Sequence, residues 1–123
     1  MREDIIQFFT DQEEEFIHAL VKIGQTRTVA SVLVFLSKTP EATSRDIERG
    51  TDLRQSEVSM AMKYLLERTW VTRRDDPTLR KGQPIKIYTL VVPMTKIFRI
   101  LERDIKEEAQ ENLAAIKRMR EIC

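Results

Sequence analysis

Four polar side chains are spaced so that they share one side of a helix: Gln55, Ser56, Ser59 and Lys63. Residues three or four positions apart are neighbours on a helix surface, so these amide, hydroxyl and ammonium groups are presented together. Such groups match the donors and acceptors that bases expose in the major groove of DNA, where glutamine can pair with adenine and lysine with guanine. We take these four residues as candidate base-facing groups. The alternative is an ordinary solvated helix face.

The basic residues that accompany this segment are of the types that bind phosphate: Arg54, Arg74, Arg80, Lys81 and Lys86. We expect them to contact the DNA backbone or the narrow groove, which gives affinity and orientation without reading sequence. Residues 54–90 hold eight Lys/Arg against four Asp/Glu, whereas residues 1–22 hold two against six, although the net charge of the chain is only +1. This asymmetry is typical of either a phosphate-binding surface or a solvated charged face.

Two helices joined by a tight turn must position these groups. In residues 54–68 the apolar side chains recur at i, i+4, i+7 and i+8, so one face enters the core and the opposite face stays polar. A short helix precedes it, because Thr43 and Asp46 have the hydroxyl-x-x-acid spacing of a helix start. Gly50 suits a left-handed position that ends this helix, which leaves residues 51–53 for the turn.

Three further segments have the apolar spacing of helices. Residues 3–23 form a first helix that ends near Gly24, and residues 28–37 form the most buried helix, which stops before Pro40. The last helix runs from about Pro93 to the end of the chain. Its apolar seam consists of Met94, Phe98, Leu101, Ile105, Ala109, Leu113, Ile116 and Met119.

From Trp70 onward the apolar period changes to two, which is typical of strands. Residues 70–74 and 85–90 are predicted to form an antiparallel hairpin. The segment between them, residues 75–84, contains two prolines and one glycine and is too long for a two-residue turn. We expect it to project as a basic loop.

This order of elements resembles a winged helix-turn-helix over residues 26–92. The residues Val58-Ser59 and Leu66-Glu67-Arg68 are similar to the MarR and TrmB-like transcription regulators, and so is the arginine-rich hairpin from Arg73 to Tyr88. The resemblance implies a mainly α fold with a small β-hairpin (α+β). It also implies a transcriptional regulator that binds double-stranded DNA sequence-specifically, with recognition helix 54–68 in the major groove and wing 73–86 on the backbone or minor groove.

Two positions depart from the family pattern. Thr69 stands where the family often has glycine after the recognition helix, and a β-branched residue resists positive φ, so we expect this helix to end differently. Arg54 stands where the family usually has a serine or threonine cap, so the first amides of the helix need another acceptor.

A single recognition helix reads few bases, whereas a two-fold dimer matches a palindrome with half-sites about 34 Å apart. We therefore predict a homodimer within a one-domain chain of 123 residues, with the helices of residues 1–24 and 93–123 at the interface. Burial of the last helix against its own domain is the competing interpretation. For the whole chain, the alternative function is a winged-helix module that docks proteins in a larger complex without direct DNA binding, which the low net charge favours.

Other chemistry is excluded or unsupported by the composition. Three glycines cannot form the glycine-rich loops that hold nucleotide phosphates, and one histidine with one cysteine cannot supply a zinc site or a thiol-based active site. Glu13, Glu14 and Glu15 point in different directions from a helix and are a solvated charge run. We expect no enzyme activity and no cofactor, and we interpret His18 and Cys123 as incidental.

Two remaining expectations concern location and small molecules. The chain opens with acidic residues and has no apolar run near the roughly 20 residues that span a bilayer, so we expect a cytoplasmic protein with no membrane association. A small-molecule effector is an open alternative, since an effector pocket could be lined by aromatic residues of the outer helices. Aromatic residues at helical spacing are more often core, and these are Phe8, Phe9, Phe16 and Phe98.

Overall fold

The computed structural model describes residues 8–77 and 84–123. In chain order the elements are α1 (Asp11–Lys22), α2 (Arg27–Lys38), β1 (Glu41–Thr43), α3 (Ser44–Thr51), α4 (Gln55–Glu67), β2 (Val71–Asp76), β3 (Ile85–Leu90) and α5 (Met94–Ile122). The chain forms two compact units that divide between Val91 and Val92. A mainly helical fold with a small antiparallel sheet is thereby confirmed.

Helix α1 begins later than the sequence predicted. Thr10 Oγ1 accepts a hydrogen bond from the Glu13 amide at 3.1 Å, and the Glu13 carboxylate accepts one from the Thr10 amide at 2.8 Å. This reciprocal cap starts the helix at Asp11, so the prediction of helix at residues 8–10 was wrong, while positions 1–7 lie outside the described residues. The bond from the Thr10 amide is the main reason that the pKa of Glu13 is lowered. The predicted helix end is confirmed, with Gly24 at φ 111°.

Helix α2 has more buried residues than any other helix in residues 8–77 and 84–123, as predicted. It packs against α1, α3, α4 and β3. Most of its side chains are removed from water, including Val32 and Leu33 with no exposed surface. Thr26 caps it by accepting a hydrogen bond from the Val29 amide at 3.1 Å. Because apolar residues occupy nearly the whole circumference, this helix organises the elements around it.

Gly50 has a different role from the one predicted. The Thr43–Asp46 cap is present as expected, but α3 continues through Gly50 to Thr51, and the left-handed residue is Asp52 at φ 58°. A Cβ atom at position 50 would lie 2.1 Å from the Cε1 atom of Phe35. Glycine is therefore required for the close approach of α3 to α2 and not for ending the helix.

The end of α4 also differs from the expectation. Thr69 adopts φ 62° despite its β-branched side chain. The Thr69 amide bonds to the carbonyl of Leu66 at 3.0 Å and the Trp70 amide to that of Leu65 at 3.1 Å, which is the pair of bonds that closes a helix with a left-handed residue. The Arg68 guanidinium lies 4.3 Å from the centroid of the buried Trp70 ring. Packing at this corner therefore holds Thr69 in the conformation that favours glycine.

Within the described ranges the sheet has three strands in the order β1-β3-β2, all antiparallel. The hairpin of β2 and β3 was predicted, and β3 has the predicted bounds, but strand β1 was missed. Ala42 of β1 pairs with Tyr88, and Val71 of β2 pairs with Leu90. Three residues are too few to show an alternating pattern, so nothing local marks β1. Strand β2 also extends to Asp76, into residues that we assigned to the loop.

Helix α5 forms most of the second unit. Its 29 residues correspond to a length of about 44 Å at 1.5 Å per residue. Ile97 and Leu101 are buried, whereas large apolar side chains further along the seam are exposed, namely Ile105, Leu113, Ile116, Met119 and Ile122. None of the helices in residues 8–77 and 84–123 combines the length and apolar character that a membrane span requires.

Candidate nucleic-acid interface

The polar side of α4 carries all four residues predicted to face bases. Gln55, Ser56, Ser59 and Lys63 are exposed, whereas Val58, Ala61, Met62 and Leu65 on the opposite side are buried. The helical period thus anchors one face in the core and presents the other to solvent. We call the exposed face, which consists of residues 55, 56, 59, 60 and 63, the α4 outer face.

The amino-terminal end of α4 lacks a side-chain cap. Arg54 is in the cap position, and its guanidinium cannot accept hydrogen bonds. The Glu57 carboxylate instead accepts a hydrogen bond from the Arg54 amide at 2.9 Å. Arg54 is exposed at the same end, where the helix dipole favours negative groups. Cationic and N–H groups therefore lie together beside Gln55 and Ser56.

The sheet presents its basic residues differently from the prediction. Arg74 Nη2 lies 2.9 Å and 3.1 Å from the two carboxylate oxygens of Glu41, and Arg74 Nη1 lies 3.8 Å from Asp76. The hydrogen bond with Glu41 is the main reason that the pKa of Arg74 is raised. Any phosphate would have to compete with these carboxylates for the guanidinium. Lys86 is exposed on β3 and pairs in register with Asp75, whereas Arg80 and Lys81 lie outside the described residues.

Sequence reasoning missed two arginines on α3. Arg45 and Arg49 are both exposed and are four residues apart, so they share a face of that helix. Neither forms an ion pair with residues 8–77 or 84–123. Helix α3, which carries them, packs against α4. Their spacing was the available signal, but α3 was interpreted only as a support for α4.

Met60 was also missed. Its side chain is 74% exposed and belongs to the α4 outer face, between Ser56 and Lys63. The signal was its position, because Met60 falls outside the series of buried residues that begins with Val58 and Met62. A single exposed apolar residue is ordinary on a protein surface, and Met60 is notable because the other residues of the α4 outer face are all polar.

Two concave surfaces lie near α4. A cleft of about 520 Å³ is lined by Phe8 and Phe9 together with the ion pair of Arg27 and Glu14, and Phe16 is not among its lining residues. A shallow, mostly apolar groove of about 330 Å³ runs between the segment after α1 and one side of α4; its lining includes Gly24, Val29, Met60, Ala61 and Tyr64. Neither surface identifies a small molecule, so an effector remains a prediction without direct support.

Residues 23–82 match the sequence model of the MarR family. None of the curated protein sequences is significantly similar to the chain. Several solved structures share the fold, among them these three. TrmBL2, described as an archaeal chromatin protein with a novel mode of DNA binding, has a TM-score of 0.69 at 16% identity over 89% of this chain. A possible transcriptional regulator from Methanosarcina mazei Go1 has a TM-score of 0.64 at 18% identity, and the Staphylococcus aureus MepR–DNA complex has 0.51 at 14%.

The fraction of each chain that the structural match covers differs among these structures. This chain spans only 40% of the TrmBL2 chain. For the Methanosarcina protein the match covers 85% of this chain and 86% of the other, and for MepR it covers 91% and 90%. The predicted winged helix-turn-helix is confirmed by these likenesses. The MarR family, whose model matches residues 23–82, consists of transcription regulators and not of enzymes, which agrees with the expectation for this chain.

Proposed function

Since the fold is a winged helix-turn-helix and residues 23–82 match the MarR family model, we propose that this chain is a transcriptional regulator that binds double-stranded DNA as a homodimer. The observation that carries the proposal is the α4 outer face, where hydrogen-bonding side chains are exposed while the opposite side of the helix is held in the core. TrmBL2 and MepR, which share the fold, are both described as DNA-binding, and this supports the same partner for this chain.

In the proposed complex the amino-terminal part of α4 enters the major groove. Gln55, Ser56, Ser59 and Lys63 are the groups that would reach base edges. Arg54 lies beside the first turn of α4 and would meet the flanking phosphates, together with Arg45 and Arg49 on the preceding helix. In helix-turn-helix proteins the first helix crosses the DNA backbone, and α3 would take that role in the proposed complex.

The wing contributes affinity in this proposal. Arg80, Lys81 and Lys86 would contact the backbone or the minor groove. Arg74 would join them only by exchanging the carboxylate of Glu41, which accepts both of its hydrogen bonds from Nη2, for a phosphate. Wing contacts of this kind add salt-sensitive affinity that is independent of sequence.

The dimer supplies the second recognition helix. We propose that α1 and α5 pair across a two-fold axis, because α5 exposes apolar residues along several turns beyond its buried residues. The acidic α1 would keep phosphates on the other side of the dimer. A regulator that binds chromosomal DNA must be in the same compartment as the chromosome. The proposal therefore includes a cytoplasmic location.

The proposal is tested by selecting bound sequences from random duplexes with the full chain. A palindromic motif with half-sites one helical turn apart is expected. No retention of any duplex at low salt, together with capture of a stable protein partner, would replace the proposal by the docking-module alternative. Retention of duplexes without any sequence preference would leave DNA binding in place but remove the base-reading role of α4.

The phosphate contacts of α3 give the first quantitative prediction. In the double variant Arg45→Ala/Arg49→Ala the affinity for the selected duplex should fall about tenfold per arginine at 0.1 M salt, because each phosphate contact contributes a salt slope of about 0.9. The loss should be the same for selected and random duplexes. The matched control is Arg103→Ala/Lys106→Ala, which removes two exposed cations from α5 and should leave the slope unchanged. If the slope of log affinity against log salt concentration is the same in both variants, α3 does not contact phosphates.

Base reading by α4 gives the second prediction. Lys63→Ala should relax the preference at one position of the selected motif by about 1–3 kcal/mol, because a bidentate or close donor contact discriminates against the wrong base by that amount. The measurement is competition between the selected duplex and its single-base variants. A uniform loss for all duplexes would identify Lys63 as a phosphate contact.

A further inference from the structure

Met60 is the most exposed large apolar side chain among residues 8–77 and 84–123, at 74%. It is four residues after Ser56 and three before Lys63, so it adjoins both on the surface of α4. The other members of the α4 outer face are polar. An apolar group is therefore exposed within the surface that we propose to face DNA.

The structure of the larger unit does not provide Met60 with a partner surface that covers it. The shallow groove beside it is lined by Val29, Ala61 and Tyr64, but Met60 lies at the rim and keeps most of its surface in contact with solvent. The helix does not need methionine at this position for packing, because the core side of α4 is already formed by Val58, Met62 and Leu65. The apolar character of Met60 is thus available to an external partner.

We propose that Met60 recognises the 5-methyl group of a thymine in the major groove. The proposal rests on the proposed function, because it assumes that α4 enters that groove. The thymine methyl is the apolar feature among the base-pair edges there, whereas the other features are hydrogen-bond donors and acceptors. An unbranched thioether side chain adapts its shape to such a group, and the contact removes apolar surface of both partners from water.

With this contact, α4 would recognise both hydrogen-bonding groups and a methyl group on the base edges. Ser56 and Lys63 hydrogen-bond with polar edges, while Met60 selects for a methyl group at a base pair next to theirs. Because 5-methylcytosine carries a methyl at the same ring position, the same residue would respond to that modified base. Met60 is in this sense a specificity-determining residue, separate from the residues that set overall affinity.

The test replaces single thymines of the selected duplex by deoxyuridine, which removes the methyl and keeps every hydrogen-bonding edge. At one thymine in each half-site, this replacement should lower the affinity of the wild-type chain for the duplex about fourfold. That factor corresponds to the burial of one methyl-sized group. In Met60→Ala the thymine and deoxyuridine duplexes should bind equally. Met60→Gln, which keeps the length of the side chain but not its apolar character, should also lose the discrimination.

Lys63→Ala is the matched control, since it should keep the discrimination against deoxyuridine while weakening binding. All affinities are compared at a salt concentration where each variant still binds, so a general loss of affinity does not hide the effect. The proposal would be overturned if Met60→Ala still discriminates against deoxyuridine, or if the wild type discriminates at no thymine. Met60 would then be interpreted as part of a protein-binding surface. Failure to recover any bound duplex would instead remove the proposed function itself.

Discussion

Replacement of Leu113 by glutamate is expected to convert the proposed homodimer into a folded monomer and to weaken binding to a palindromic duplex by about 100-fold or more. Leu113 is 66% exposed on α5, so a carboxylate there costs little in an isolated chain. In a dimer that uses the apolar side of α5, the same carboxylate would be buried without a partner, which is strongly unfavourable. Loss of the second half-site then removes the gain in effective concentration that two linked recognition helices provide.

The oligomeric state is measured by sedimentation and the affinity by titration of the selected duplex. Ala114→Glu is the matched control, because it introduces the same charge at an exposed position one residue further, about 100° around the helix. This variant should sediment and bind as the wild type does. A wild-type chain that is monomeric at micromolar concentration would contradict the dimer. A dimer that persists in Leu113→Glu would place the interface elsewhere.

Where the signals of the sequence were local, the structure agrees closely with the prediction. The bounds of β3 and the amino-terminal cap of α3 depend on residues within three or four positions of one another, such as Thr43 and Asp46. The polar side of α4 could likewise be predicted, because burial of every third or fourth residue fixes which side chains face solvent. The winged arrangement followed from the order of these elements.

Features that depend on distant residues could not be predicted in the same way. Strand β1 is only three residues long and exists because it pairs with β3, more than 40 residues later in the chain. The ion pair of Arg74 with Glu41 depends on the register of those strands, so the sequence alone suggested a free cation on the wing. Thr69 has an unfavourable conformation on its own, yet the packing of Trp70 and the carbonyls of α4 determine where the helix ends.

Gly50 shows how a local rule and a tertiary contact lead to opposite expectations for one substitution. Helix propensity alone favours Gly50→Ala by about 1 kcal/mol, because glycine is a poor residue inside a helix. The Cβ of alanine would, however, lie 2.1 Å from Cε1 and 2.6 Å from Cδ1 of Phe35, far inside contact distance. Overpacking of this kind costs about 1–3 kcal/mol. We therefore expect Gly50→Ala to lower the free energy of unfolding, measured by chemical denaturation.

A double-mutant cycle isolates the contact from other effects. In a Phe35→Ala background the colliding ring is absent, so Gly50→Ala should become neutral or stabilising, with an interaction energy of about 1–3 kcal/mol between the two positions. Gly24→Ala is the control: position 24 has φ 111° and no neighbour within 4 Å of an added Cβ, so its cost arises from backbone strain and should not change with Phe35. Equal costs of Gly50→Ala in both backgrounds would show that α3 does not depend on close approach to α2. In that case the helix-turn-helix would not owe its geometry to this glycine.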